Sequence, residues 1–320
     1  MRKKIVGMII GIILLFSIGV YGKEKPHWNS DVNTIYGDGI VVQFHERTPT
    51  YHIWVPGKNN TAVYIVKFNR IIEFIDTNNN GKFDGETDQL LAHAPLTAHD
   101  IWTVAAEQME GENGVFELKI SFNATVEVTS VSLSQEMDGG QRVGYAKVAF
   151  INHIYDQDVD VNGYEIAGGR ELKIDIVISD WPWSNSESKL ALEIVFAGFF
   201  RGHSGIPKCH REQTQTKAGK MSHIRLEGDA DYDVEFKYRE EATIRDNQAT
   251  GCHINASDQF REKSAVTWLV YPHFNGTLIH DPSICAGTPE GTLLDTIKTY
   301  MPLIAIVVII VIVLVVIKKK

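Results

Sequence analysis

Val159-Asp160-Val161-Asn162-Gly163-Tyr164-Glu165-Ile166 is the stretch that decides the fold class. Apolar and polar residues alternate on both sides of Asn162-Gly163, the pair best suited to the two left-handed positions of a type I′ turn, so the segment predicts a β-hairpin. Similar short apolar or alternating runs recur along the chain at Gly39–Phe44, Tyr51–Val55, Ala62–Phe68, Val115–Phe122, Ala146–Ile151, Glu171–Ile178, Leu190–Phe196, Val234–Tyr238 and Val266–Tyr271. Pro56-Gly57, Asn113-Gly114, Gly139-Gly140 and Gly168-Gly169 punctuate them. Many short strands with such breaks predict an all-β, antiparallel, β-sandwich-like region. Only Leu90–Ala94 and Leu293–Thr299 read as helix, and Trp268–Phe274 reads as the last strand. The polar stretch His203–Ser222 reads as a long loop inside one sandwich, with a boundary between two packed domains as the alternative.

The two ends are of another kind. Arg2, Lys3 and Lys4 precede an apolar run from Ile5 to Val20, and Val20-Tyr21-Gly22 offers a cleavage site. That layout over residues 1–22 predicts a secretory signal peptide, with an uncleaved N-terminal anchor as the alternative. Residues 300–317 carry no charge and are mostly Ile and Val, closed by Lys318, Lys319 and Lys320. As a helix this segment spans roughly 27 Å, close to the hydrocarbon thickness of a bilayer. Ile and Val are poor helix formers in water, but in lipid the backbone has to satisfy its own hydrogen bonds. The terminal lysines predict a cytoplasmic tail at 318–320, and so a single-pass cell-membrane protein with residues 23–299 outside.

All 40 acidic residues lie in residues 23–299 against 25 of the basic ones, so this region carries about −15 although the whole chain carries −9. Such a surface excludes a nucleic-acid partner, which rewards basic patches, and suits cations. Cys209, Cys252 and Cys285 all fall there. Export permits one disulfide, with Cys209–Cys252 preferred because each precedes a histidine, although three pairings remain open. Asn59, Asn123, Asn255 and Asn275 begin glycosylation sequons.

The motif richest in chemistry is Asp76-Thr77-Asn78-Asn79-Asn80-Gly81-Lys82-Phe83-Asp84-Gly85-Glu86-Thr87-Asp88. Oxygen-bearing side chains at positions 1, 3 and 5, glycine at 6, a backbone carbonyl at 7 and an acid at 9 match a calcium loop. Asp76, Asn78, Asn80, the Lys82 carbonyl, Asp84 and Asp88 are the expected ligands. Thr87 stands at position 12, where an EF-hand has Glu, so Glu86 or Asp88 has to serve. The preceding Tyr64–Ile75 reads as strand, not helix. A solvated turn without metal is the alternative.

Two further acidic ladders are weaker. Asp156, Asp158 and Asp160 lead into Asn162-Gly163 and repeat the Asp-x-Asp-x-Asn-Gly spacing, but Val159 and Val161 alternate with the acids as in a strand with one wet face, so a hairpin is read over a calcium loop. Asp229, Asp231 and Asp233 fit either the start of a strand or a second cation site. Cys209-His210, Cys252-His253, His273, His280 and Cys285 are ligand types for copper or zinc, yet none shows a recognised spacing. Gly202-His203-Ser204-Gly205 is not a nucleophile elbow, and no phosphate loop or dinucleotide fingerprint occurs. Trp181-Pro182-Trp183 is a glycan-stacking platform if exposed and a cap on the core if buried.

On Ile72–Asp84, Trp181–Trp183 and Tyr271–Ser283, the chain resembles a type of membrane-anchored surface protein found in archaea, with an EF-hand-like calcium loop between strands. The resemblance implies export, a membrane anchor and a calcium-type loop, and brings no activity or catalytic residue. The expected function is a surface calcium-binding module, structural or adhesive, contacting glycans or other surface proteins. The alternative is a membrane-tethered carbohydrate-active enzyme, drawing an acid pair from the Asp156 or Asp229 ladder beside Trp181 and Trp183.

Overall fold

The computed structural model describes residues 25–287 apart from 46–47, 57–61, 99, 112, 132–140, 201–207, 217–218, 228–231 and 261–263. The expected signal peptide at 1–22, membrane helix at 300–317, tail at 318–320 and helix Leu293–Thr299 lie outside the described residues, as do Asn59, Asp229 and Asp231.

No α-helix occurs among the described residues. The strands, in chain order, begin with β1 (His27–Asn29), β2 (Thr34–Tyr36), β3 (Val41–Phe44), β4 (Thr50–Trp54), β5 (Ala62–Ile75), β6 (Gln89–Pro95) and β7 (Trp102–Glu110). Next come β8 (Phe116–Ser130), β9 (Arg142–Tyr155), β10 (Val159–Val161), β11 (Tyr164–Ile166), β12 (Glu171–Ser179), β13 (Lys189–Phe200), β14 (Lys208–Thr216) and β15 (Gly219–Glu227). The last are β16 (Asp233–Arg239), β17 (Glu241–Arg245), β18 (Ala249–His253), β19 (Asn255–Phe260), β20 (Ser264–Tyr271), β21 (Thr277–His280) and β22 (Ser283–Gly287). Their pairings are antiparallel throughout.

One run of neighbours passes β1-β2-β3-β4-β5-β13-β20-β19, and a second passes β7-β8-β9-β12. β12 then forks: residues 171–173 pair with β22, which leads to β16, β15 and β14, whereas residues 176–179 pair with β21, which leads to β17 and β18. β6 links the runs by pairing with both β5 and β8. Alternate residues of the two runs face one common core. Phe44 meets Phe122 and Phe68 meets Phe150, each pair with ring centroids 4.6 Å apart, and Phe196 meets Phe236 at 5.3 Å. Each such fully buried side chain contributes about 1.5–3 kcal/mol relative to exposure.

A bulge in β5 lets this strand serve two cores. Its register on β13 jumps from Phe68–Ile194 to Arg70–Glu193, leaving Asn69 unpaired and reversing the side-chain parity. Tyr64, Val66, Phe68 and Ile71 therefore face the main core. Ile72 and Phe74 face the opposite side, where they pack with Phe83, Ala191 and Trp268 in a second cluster.

The hairpin forms at Val159–Ile166, with Asn162 at φ 55° and Gly163 at φ 80° as a type I′ turn requires. Three expectations are corrected. Leu90–Ala94 is not helical but lies in β6, because so short an apolar run gains more from pairing with β5 than from one helical turn. His203–Ser222 is not a long loop, because β14 and β15 make a hairpin there. β14 was hidden from pattern reading because the face that carries Cys209 also carries half-buried Arg211 and exposed Gln213, which bond Asp258, Ser222 and Glu240 instead of packing in oil. β20 is not the last strand either, since β21 and β22 follow it.

Candidate functional site

Asp76–Asp88 is the connection between β5 and β6, and the local sequence explains its shape. Asn79 at φ 55° and Gly81 at φ 76° take left-handed positions that Asn and Gly tolerate. Short polar side chains then turn the chain step by step. Asn78 Oδ1 accepts from Asn80 N at 3.0 Å, Asn80 Oδ1 from Lys82 N at 2.7 Å and Asp84 Oδ1 from Glu86 N at 3.0 Å. The two ends are clasped together: Thr77 N donates to Asp88 Oδ1 at 3.1 Å, and Thr77 Oγ1 to the Thr87 carbonyl at 2.7 Å. Asp88 Oδ2 also accepts from Asp84 N at 2.8 Å.

The loop is anchored rather than free. The Phe83 ring lies 5.0 Å from Phe74 and 5.6 Å from Trp268, and the Phe83 carbonyl accepts from Ser257 Oγ at 2.8 Å. At Gly81 a Cβ would come within 2.7 Å of Asn255 Nδ2, so a side chain there would have to displace that amide as well as adopt a left-handed φ. The amide of the Asn255 sequon thus faces the loop, whereas Asn123 and Asn275 are exposed.

Asp76 is buried at the mouth of the loop, where Oδ1 accepts from Asn80 N and Oδ2 from Gly81 N and from Lys189 Nζ at 2.6 Å. Burial works to raise its pKa, but the Lys189 ammonium together with the Gly81 and Asn80 N–H groups prevails and holds the carboxyl below its usual range. Lys189, which sequence reading missed, brings a cation from β13 to the first ligand position. Tested against calcium, the donors are all hard oxygens, and Asn78, Asn80 and Asp84 each use one acceptor position within the loop while keeping others. Among the described residues no three His, Cys, Asp or Glu side chains converge on one point, so the amide and backbone oxygens have to complete any such set.

Three residues before Asp76, the strand carries a second unforeseen carboxylate. Glu73 is fully buried, and its oxygens accept from Trp181 Nε1 at 3.2 Å, Ser184 N at 2.8 Å, Asn185 N at 3.3 Å and Ser188 Oγ at 2.6 Å. Trp181 is buried with it, and Trp183 donates its N–H to the Phe274 carbonyl at 3.0 Å and packs on the His273 ring. The tryptophan pair therefore caps the core and does not offer two exposed indoles.

The other candidates are dispersed. Asp156, Asp158 and Asp160 each accept a backbone N–H from a different segment, those of Phe116, Gly168 and Gly163. Asp233 lies on β16 with Arg225 at 2.7 Å. Cys209 on β14 and Cys252 on β18 are half-buried against the main core, and burial pushes the Cys209 thiol up to about 11. Cys285 on β22 is likewise raised to about 11 by burial. His280 is buried between the Tyr271 hydroxyl and the Arg239 carbonyl, each 3.0 Å away, as a core histidine. In comparisons with known proteins, the chain matches no family model and no curated protein.

Proposed function

We propose that the chain is a cell-surface module, structural or adhesive rather than catalytic, whose Asp76–Asp88 loop binds calcium. In this reading the strands form a β-sandwich outside the cell, the 300–317 segment is a transmembrane helix, and residues 1–22 direct export. The observation that carries it is the loop itself. It is a folded, oxygen-lined turn between β5 and β6, clasped by Thr77 and Asp88 and pinned to a core by Phe83. Calcium there would draw the loop's carboxylate, amide and backbone oxygens together and so tie the end of β5 to the start of β6.

The test is thermal unfolding of the intact protein in calcium and in chelator. A ligand at a hundredfold excess over its Kd stabilises by about 2.7 kcal/mol. A higher melting temperature in calcium that disappears in Asp84→Ala supports the reading. Equal melting temperatures would reduce the loop to a polar turn.

A further inference from the structure

The core side of β8, β9 and β12 is occupied by Leu118, Ile120, Phe122, Phe150 and Ile174, so the intervening odd-numbered residues form an outer face. That face carries two hollows, one towards each end of the same three strands. The larger, about 510 Å³, is lined by Thr103, Asn123, Thr125 and Ser179 around Ala149, with Lys147, whose ammonium is paired with Asp180 at 2.9 Å, at its side. The smaller, about 330 Å³, is lined by Glu117, His153, Lys173 and Asp175, with Arg239 and Asp281 beside the fork of β12. From Glu117 to Thr125 along β8 is roughly 27 Å at the rise of an antiparallel strand.

The smaller hollow is a relay of matched charges. His153 Nδ1 lies 2.5 Å from Glu117 Oε1 and its Nε2 lies 3.2 Å from Asp175 Oδ2, while Lys173 pairs with the other oxygen of Asp175. Across the hollow the carboxylates of Glu117, Asp175, Glu241 and Asp281 are interleaved with the cations of Lys173, Arg239 and Arg245, so neither an anion nor a cation meets a patch of one sign. A hydroxyl both donates and accepts, and it can bridge a carboxylate and an ammonium at once. Tyr155 also lines this hollow. The larger hollow offers hydroxyl and amide groups of the same dual character. Two such hollows in line along one set of strands suit a chain of hydroxyl-bearing units better than one compact molecule.

We propose that the outer face of β8, β9 and β12 is a binding groove for an extended, uncharged oligosaccharide. Its hydroxyls would engage Glu117, His153 and Asp175 at one end and Thr103, Thr125 and Ser179 at the other. The inference shares the surface setting of the proposed function but is independent of the loop at Asp76–Asp88, so its failure leaves the calcium reading untouched.

The experiment is calorimetric titration of the intact protein, held in a detergent without a sugar headgroup, with cellohexaose, maltohexaose and chitohexaose. Asp175→Asn weakens the end at the relay, and Ser179→Trp fills the hydroxyl-lined end without removing a member of the relay. Melting curves confirm that both variants are folded. Binding of at least one hexasaccharide, weakened about tenfold or more in each variant, is expected; tenfold corresponds to about 1.4 kcal/mol. No binding by any of the three overturns the proposal. So does binding that both variants leave unchanged, or tighter binding of a hexauronate than of every neutral chain.

Discussion

Glu73→Ala would remove an acceptor that four donors share, and the structure allows its cost to be worked out. Trp181 Nε1 is buried against the carboxylate, so losing its partner costs about 1–3 kcal/mol, whereas Ser188 Oγ can turn to the Asn185 carbonyl at 2.6 Å. The Ser184 and Asn185 amides are only part-buried and recover some of their loss from water. Relief of the buried charge offsets part of the penalty. The expected net destabilisation is about 2–4 kcal/mol, or roughly 5–10 °C in melting temperature for a fold of this size. Glu73→Gln keeps one carbonyl acceptor but turns an NH₂ towards donors, and should fall between, at about 1–2 kcal/mol. Urea unfolding with an unchanged m-value measures the difference directly. Tryptophan fluorescence should report loosening around Trp181 below the main transition. A Glu73→Ala protein within about 0.5 kcal/mol of wild type, the range of an inert surface change, would refute the role assigned to this carboxylate.

Three other outcomes follow from the same geometry. Gly81→Ala should cost about 1–3 kcal/mol through its φ of 76° and the approach to Asn255, and Asn255→Ala should relieve the steric part, so the double variant loses less than the sum of the singles. Lys189→Met should enlarge the melting-temperature difference between calcium and chelator while lowering stability in chelator; a smaller difference would mean that the ammonium does not compete with calcium for Asp76. For His153, burial disfavours the charge but Asp175 and Glu117 outweigh it and raise its pKa, with Lys173 opposing and Lys119 beside it on β8. A raised pKa stabilises the fold fully below the unfolded value of about 6.5 and loses that contribution as pH rises through the folded value. His153→Gln should therefore cost most at pH 5 and least well above neutrality, and a pH-independent cost would remove the charged imidazole from the account.

Much of the fold was legible because the physics involved is local. Runs such as Glu171–Ile178 and Leu190–Phe196 carry their own strand signal, and Asn162-Gly163 carries its own turn. The loop at Asp76–Asp88 could be read as a turn of oxygen-bearing residues for the same reason. What escaped depended on residues distant in sequence. β14 has a polar face that makes sense only once Asp258 and Glu240 are in place. Glu73 looks like the wet position of an ordinary alternating strand until the segment around Trp181–Ser188 folds over it, 108 or more residues later. Lys189 and His153 are unremarkable in sequence because their partners lie elsewhere, in the loop after β5 for Lys189 and on β8 and β12 for His153.

The fork in β12 has a consequence for how the chain reaches its native state. Residues 171–179 need β9 on one side and, on the other, β21 and β22, which arrive about a hundred residues later in the chain. Until Thr277–Gly287 has emerged, one edge of a core strand stays open, and β16 and β17 also lack a neighbour. Folding is then gated by contacts of long sequence separation, which are slow to form, and an open edge is a template for pairing with another molecule. A chain cut before Thr277 should be prone to aggregate rather than fold as a smaller version of the protein. These last two strands act as a clasp that closes both branches of the sheet together.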